Sequence, residues 1–219
     1  MNRRNFLRTS AAGLAATGLF ISGNEAQAVE DNKPRGPLKS PEAEVFAKAA
    51  YQHFIPGKKT CSEAVLLGCC EALGIESPLV PDIALGMGGG VGLQGHICGI
   101  VTGGIMVTGL VVGSREADYS KKKMRVLAAS GRFLQGFEKE YRTVACRRIC
   151  GLDLTTPEGR EKLEGSVKAE KCAPVIQACA RRLSEILRED EEHPSYEIPR
   201  AVFPGSSGPR GPGRRRGSP

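Results

Sequence analysis

Between positions 86 and 95 the chain places glycine at 86, 88, 89, 90, 92 and 95, six in ten residues. A stretch so poor in side chains cannot hold a stable helix, because each glycine adds backbone entropy that folding must remove. The chain must therefore loop there. On both sides apolar residues recur at helical spacing and few alternating, strand-like runs survive, so the expected fold is all-α. It would be a single compact helical domain in which a Gly-rich loop leads into a buried central helix.

Before the glycines, residues 40–55 carry Val45, Phe46, Ala49, Ala50 and Phe54 on one helical face, and Pro56-Gly57 stops the run. Thr60-Cys61-Ser62-Glu63 opens the next helix. Its first and fourth residues fit a capping box, a cap of the kind worth about 1 kcal/mol. That helix is expected to run to Leu73, with one further short turn at 81–85. After the glycines, residues 97–112 form an uncharged run of 16 containing Thr102, Gly103, Gly104 and Thr108. A membrane span needs about 20 apolar residues, so this run predicts the buried central helix, with small residues that admit close neighbours. Residues 120–141 read as a long amphipathic helix with Val126, Leu127, Phe133, Leu134 and Phe137 toward the core. Two more helices are expected at 155–163 and 171–189, the last burying Val175, Ile176, Leu183, Ile186 and Leu187.

The two ends read differently. Arg3-Arg4-Asn5-Phe6-Leu7-Arg8 precedes an uncharged stretch at 9–24, and Ala26-Gln27-Ala28 supplies the small residues at which a signal is cut. Adjacent arginines followed by Asn-Phe-Leu resemble a twin-arginine export signal, so residues 1–28 are expected to be removed and the mature chain to work in the periplasm or outside the cell. Residues 29–40 would be a linker, 41–193 the helical domain, and 194–219, rich in Pro, Gly, Ser and Arg, a disordered basic tail. The formal net charge of +7 divides as +2 in residues 1–28, +4 in residues 194–219 and +1 between them. The body is thus nearly neutral, and neither a nucleic-acid groove nor membrane binding beyond the export signal is expected.

About 165 ordered residues can hide about 70% of their unfolded surface, so the eight cysteines are not needed as staples. They are Cys61, Cys69, Cys70, Cys98, Cys146, Cys150, Cys172 and Cys179. None of the tight paired spacings of a zinc ribbon or ferredoxin loop is present, and without Cys-x-x-Cys-His no covalent haem is expected. Cys61 falls in the first turn of a helix and Cys98 opens the central one. Amide donors and the helix dipole favour a thiolate at both positions. Exported thiols can also pair as disulfides, and free cysteine is common as plain core filling. His96 reads as a loop residue or hydrogen-bond partner, and His53 and His193 as surface or helix-end residues. No Ser/His/Asp arrangement or carboxylate pair points to hydrolysis.

The segments Cys61-Ser62-Glu63-Ala64-Val65, Gly88-Gly89-Gly90 leading to Cys98-Gly99-Ile100-Val101-Thr102-Gly103, then Cys146-Arg147 before Gly151-Leu152-Asp153-Leu154, and finally Cys172, resemble the C_GCAxxG_C_C family of redox-active proteins. The resemblance spans about residues 45–190. It departs mildly where Ile100 replaces the small residue usual after Cys-Gly. It implies a helical module with four cysteines converging on one redox-active site, similar to part of the split-Soret cytochromes, where an iron–sulfur cluster accompanies the haem. By that resemblance Cys61, Cys98, Cys146 and Cys172 would bind an iron–sulfur cluster, and the protein would be an exported electron carrier rather than a substrate-converting enzyme. Its expected partners are a redox partner protein and, in a homodimer, a second copy of the chain. A disulfide-stabilised structural or binding module without metal stands as the alternative, and thiol–disulfide exchange ranks last for want of Cys-x-x-Cys. Cys69, Cys70, Cys150 and Cys179 are expected to be core residues or disulfides. Cys150 lies one helical turn from Cys146, and Cys179 two turns from Cys172, so either could also line the pocket.

Overall fold

The apolar spacing of the first segment becomes helix α1, Ala43–Phe54, which buries Phe46, Ala47, Ala50 and Phe54. Val45, expected inside, is 46% exposed, so the inward stripe is rotated by about one residue from the expected one. The structure is a computed structural model and describes residues 37–199. The export signal, most of the linker and most of the basic tail lie outside the described residues.

Helix α2, Cys61–Ala72, starts where the capping box placed it. The Thr60 hydroxyl accepts from the Glu63 amide, and the Glu63 carboxylate accepts from the Thr60 amide at 2.9 Å. Gly68 lets α1 approach so closely that a Cβ there would come within 2.6 Å of the Ala50 backbone nitrogen. A single turn, α3 (Asp82–Leu85), precedes the glycine loop.

After the loop comes α4, Gly99–Ser114, the expected central helix. It packs against α2, against α5 (Tyr119–Tyr141) and against α8 (Ala173–Glu192). A helix apolar on nearly every side finds neighbours on nearly every side. Among the described residues no helix is long and apolar enough to cross a membrane.

α5 buries Ala128, Ala129, Phe133 and Phe137 together with Arg125. Leu127, expected in the core, is 47% exposed. The reason is a fixed anchor. Arg125 Nε donates to both Asp190 carboxylate oxygens at 3.1 Å, and its Nη2 to the Asp190 carbonyl at 2.9 Å. Asp190 is fully buried, and holding that pair sets the rotation of the helix.

Three further elements complete the chain: α6 (Cys146–Cys150), α7 (Pro157–Lys162) and a π-helical stretch, Leu163–Cys172, that runs directly into α8. The sequence predicts two separate helices here. The intervening Glu164, Gly165, Lys168 and Glu170 break the apolar period, yet the helix continues through them with wider turns. Its last bond, from the Ala173 amide to the Lys168 carbonyl, spans five residues. Beyond α8, Tyr196 donates to Glu116 at 3.4 Å and Pro199 covers Gly131 of α5, so residues 194–199 lie along the domain.

Candidate functional site

Three local devices bring distant cysteines to one place. The capping box fixes the start of α2 and with it Cys61, the first helical residue. The segments before α4 and α6 then pair through an isolated antiparallel bridge, Ile97 with Ala145. The Cys98 amide donates to the Val144 carbonyl at 2.7 Å and the Cys146 amide to the His96 carbonyl at 2.6 Å. That bridge sets Cys98 and Cys146 side by side although 48 positions separate them. The π-helical stretch ends on Cys172 and turns its side chain to the same space.

The glycine loop closes over this point. Gly90 has φ +74°, which L side chains rarely adopt, and a Cβ there would lie 2.6 Å from the Cys146 Cβ. A Cβ at Gly99 would sit on the Cys61 sulfur. His96 contributes its backbone while its imidazole faces solvent. His53 pairs with Glu71 at 2.6 Å, and His193 ends α8.

The cysteines surround a cavity of about 120 Å³ whose wall is otherwise mainly apolar, with Phe54, Leu93, Ile100, Ile149, Leu154 and Leu163 on it. All four cysteines expected at the site, Cys61, Cys98, Cys146 and Cys172, line it, and so does Cys150. Lys58, Lys59 and Lys168 stand on the same wall, partly offset by Glu164. Lys168 Nζ also lies 5.0 Å above the Phe54 ring, a cation–π contact.

Four of the five thiols form a chain of contacts: Cys61 to Cys98, Cys98 to Cys146, Cys146 to Cys150. One thiol hydrogen serves one acceptor, so the members cannot all be alike. Hydrogen bonding from Cys150 and then Cys98 holds the Cys146 thiol well below its ordinary value, to about 4, against the cost of burial. The Cys61 thiol is also lowered, first by Cys98, with support from the amides of Gly89 and Ser62. Cys98 moves the other way, because its proton is held by Cys146 and Cys61 and the site is buried. The Ile100 amide at the helix start does lower the Cys98 thiol, as its position implies, but its two thiol neighbours and burial outweigh that effect. Cys150 is raised chiefly by its bond to Cys146, and burial pushes Cys172 up to about 12.

The remaining cysteines sit elsewhere. Cys69 and Cys70 are buried on the inner face of α2. Burial raises both thiols, Cys70 to about 11. Cys179 is buried on α8 against Tyr141, not on the cavity wall, because two turns of ordinary helix carry it about 10 Å beyond Cys172. Cys150 is a buried core residue, as expected, and it also stands on the cavity wall, as its one-turn spacing from Cys146 allowed.

The sequence profile of the family described as "Putative redox-active protein (C_GCAxxG_C_C)" matches residues 59–186. The chain belongs to the C_GCAxxG_C_C family. The matched region runs from the capping box to the inner face of α8, so it contains every cysteine of the cavity, and the family's description points to a redox role. Comparison with curated proteins and with solved structures finds no match.

The wall fits an iron–sulfur centre in the chemistry of its donors. Soft sulfur donors, amide donors and nearby lysines suit an anionic cluster, and the cysteines line the free volume. Among the described residues no group of three or more His, Cys, Asp or Glu side chains is placed to hold a single metal ion.

Proposed function

We propose that this C_GCAxxG_C_C protein is an exported electron carrier that holds an iron–sulfur cluster on Cys61, Cys98, Cys146 and Cys172. One observation carries the reading: four sulfurs from four separate elements line the same small, largely apolar cavity. Such a cluster would supply one-electron chemistry, with a potential set by the thiolates, their hydrogen bonds and solvent exposure. The chain's own residues hold and tune it. The amides of Gly89 and Ser62 reach Cys61, lysines offset negative charge, and the apolar wall limits water. The twin-arginine pattern at Arg3-Arg4 supports export in a folded state, after any cluster is assembled. Anaerobically purified protein should absorb near 400 nm, contain iron and sulfide, and lose the band in Cys98→Ala. Colourless, iron-free protein from cells competent in cluster assembly overturns the reading.

A further inference from the structure

The cavity holds five thiols, one more than a four-thiolate centre requires, and the extra one has a particular place. Cys150 lies on the same one-turn helix as Cys146, and the two thiols are in contact. Residues four apart on a helix have Cβ atoms about 5–6 Å apart, and a disulfide needs about 3.5–4.5 Å. The gap is small enough to close if the helix tightens or frays. α6 is free to do so: it has five residues, and Gly151 ends it in the left-handed conformation. Two contacts compete: Cys61 with Cys98 joins the starts of two long buried helices, where closing the sulfurs would move α2 against α4, and Cys98 with Cys146 joins two segments whose backbones the Ile97–Ala145 bridge already fixes.

We infer that Cys146 and Cys150 form a dithiol/disulfide couple, a two-electron redox centre of their own within the cavity. Exposure sets the order of events. Cys146 is 7% exposed and Cys150 1%, so of these two thiols Cys146 is the one that an incoming disulfide, such as a small-molecule disulfide, meets first. Cys146 Sγ, its proton gone to solvent, attacks one sulfur of that disulfide, forms a mixed disulfide and expels one thiolate. Cys150 Sγ then loses its proton and attacks Cys146 Sγ, breaking the mixed bond and expelling the second thiolate. The protons return to the two thiolates released. Two cysteine thiols are oxidised, and one disulfide is reduced to two thiols. The couple stands on the cavity geometry alone. Its consequence, that the oxidised pair withholds Cys146 from a cluster, rests on the function proposed above.

Trypsin cuts after Arg147 and Arg148, between the two cysteines, which makes the bond directly readable. Full-length apo protein is treated with excess glutathione disulfide, alkylated, digested and analysed by mass spectrometry. Peptides 143–147 and 149–160 should appear joined. In Cys150→Ser that pair should be lost and glutathione should persist on Cys146, with Cys150→Ala as a second variant and helical circular dichroism as the check on folding. A bond from Cys98 to Cys146 or Cys61, or Cys150 recovered fully alkylated, overturns the couple. Absorbance after iron and sulfide reconstitution of reduced protein separates the two ideas. A band without the joined peptides removes only the couple, and joined peptides without a band remove only the cluster.

Discussion

The two ends of α8 are built on opposite terms. Cys172, just before it, faces a cavity in which thiols satisfy mostly one another, whereas Asp190, in its last turns, is locked by charge and backbone. The two residues are 18 apart, about 27 Å along a helix. Around Asp190 the bonds are many and fixed. Beyond Arg125, Arg115 reaches its carboxylate at 3.2 Å, the carbonyl of Leu187 at 2.7 Å, the carbonyl of Leu38 at 3.0 Å and the Ser40 hydroxyl at 2.9 Å. That end has no slack. At the thiol end, soft donors line free volume and the proton order can be rearranged without moving a helix. The difference teaches that this fold concentrates its rigidity away from its chemistry.

Breaking the rigid end should therefore cost most. Asp190→Ala leaves Arg125 buried without its carboxylate, while Arg115 keeps Glu191 at 3.0 Å, and should lower stability by about 3–5 kcal/mol in urea unfolding. Little loss there would mean the charged end does not anchor the fold. At the thiol end, Gly99→Ala places a methyl on the Cys61 sulfur. A cost of about 1–3 kcal/mol is expected, with loss of any absorbance near 400 nm. Thr60→Ala removes one side of the capping box and should cost about 1 kcal/mol, read from the thermal midpoint.

The mildest effect should come from alkali. Burial raises the thiols of Cys69 and Cys70 above the ordinary cysteine value, Cys70 to about 11. Between pH 9 and 11 the unfolded chain therefore releases protons that the folded chain keeps. Stability of the reduced apo protein must fall as pH rises through that window. A urea midpoint that holds steady or increases from pH 9 to 10.5 would contradict this burial.

Much of the frame was legible in the sequence because it rests on local signals. Thr60 and Glu63 announced the start of α2, the uncharged run announced α4, and Val175, Ile176, Leu183, Ile186 and Leu187 are buried as the period of α8 requires. The rest depends on partners far along the chain. Arg125 reads as a surface charge until Asp190 is placed beside it, and its burial turns Leu127 outward. The bridge of Ile97 with Ala145 is too short to leave a strand pattern, yet it sets two of the sulfurs together. The family resemblance picked out four of the cavity's cysteines by motif, and Cys150 lay outside the motif.

The wide turns of the π-helical stretch give its length an importance that its composition hides. Each residue of an ordinary helix advances the side chains by about 100°, so removing one residue between 163 and 171 would swing the Cys172 sulfur away from the others while leaving the helix continuous. In this segment polar substitutions should be tolerated and single deletions should not, because the number of residues, more than their identity, aims the fourth sulfur.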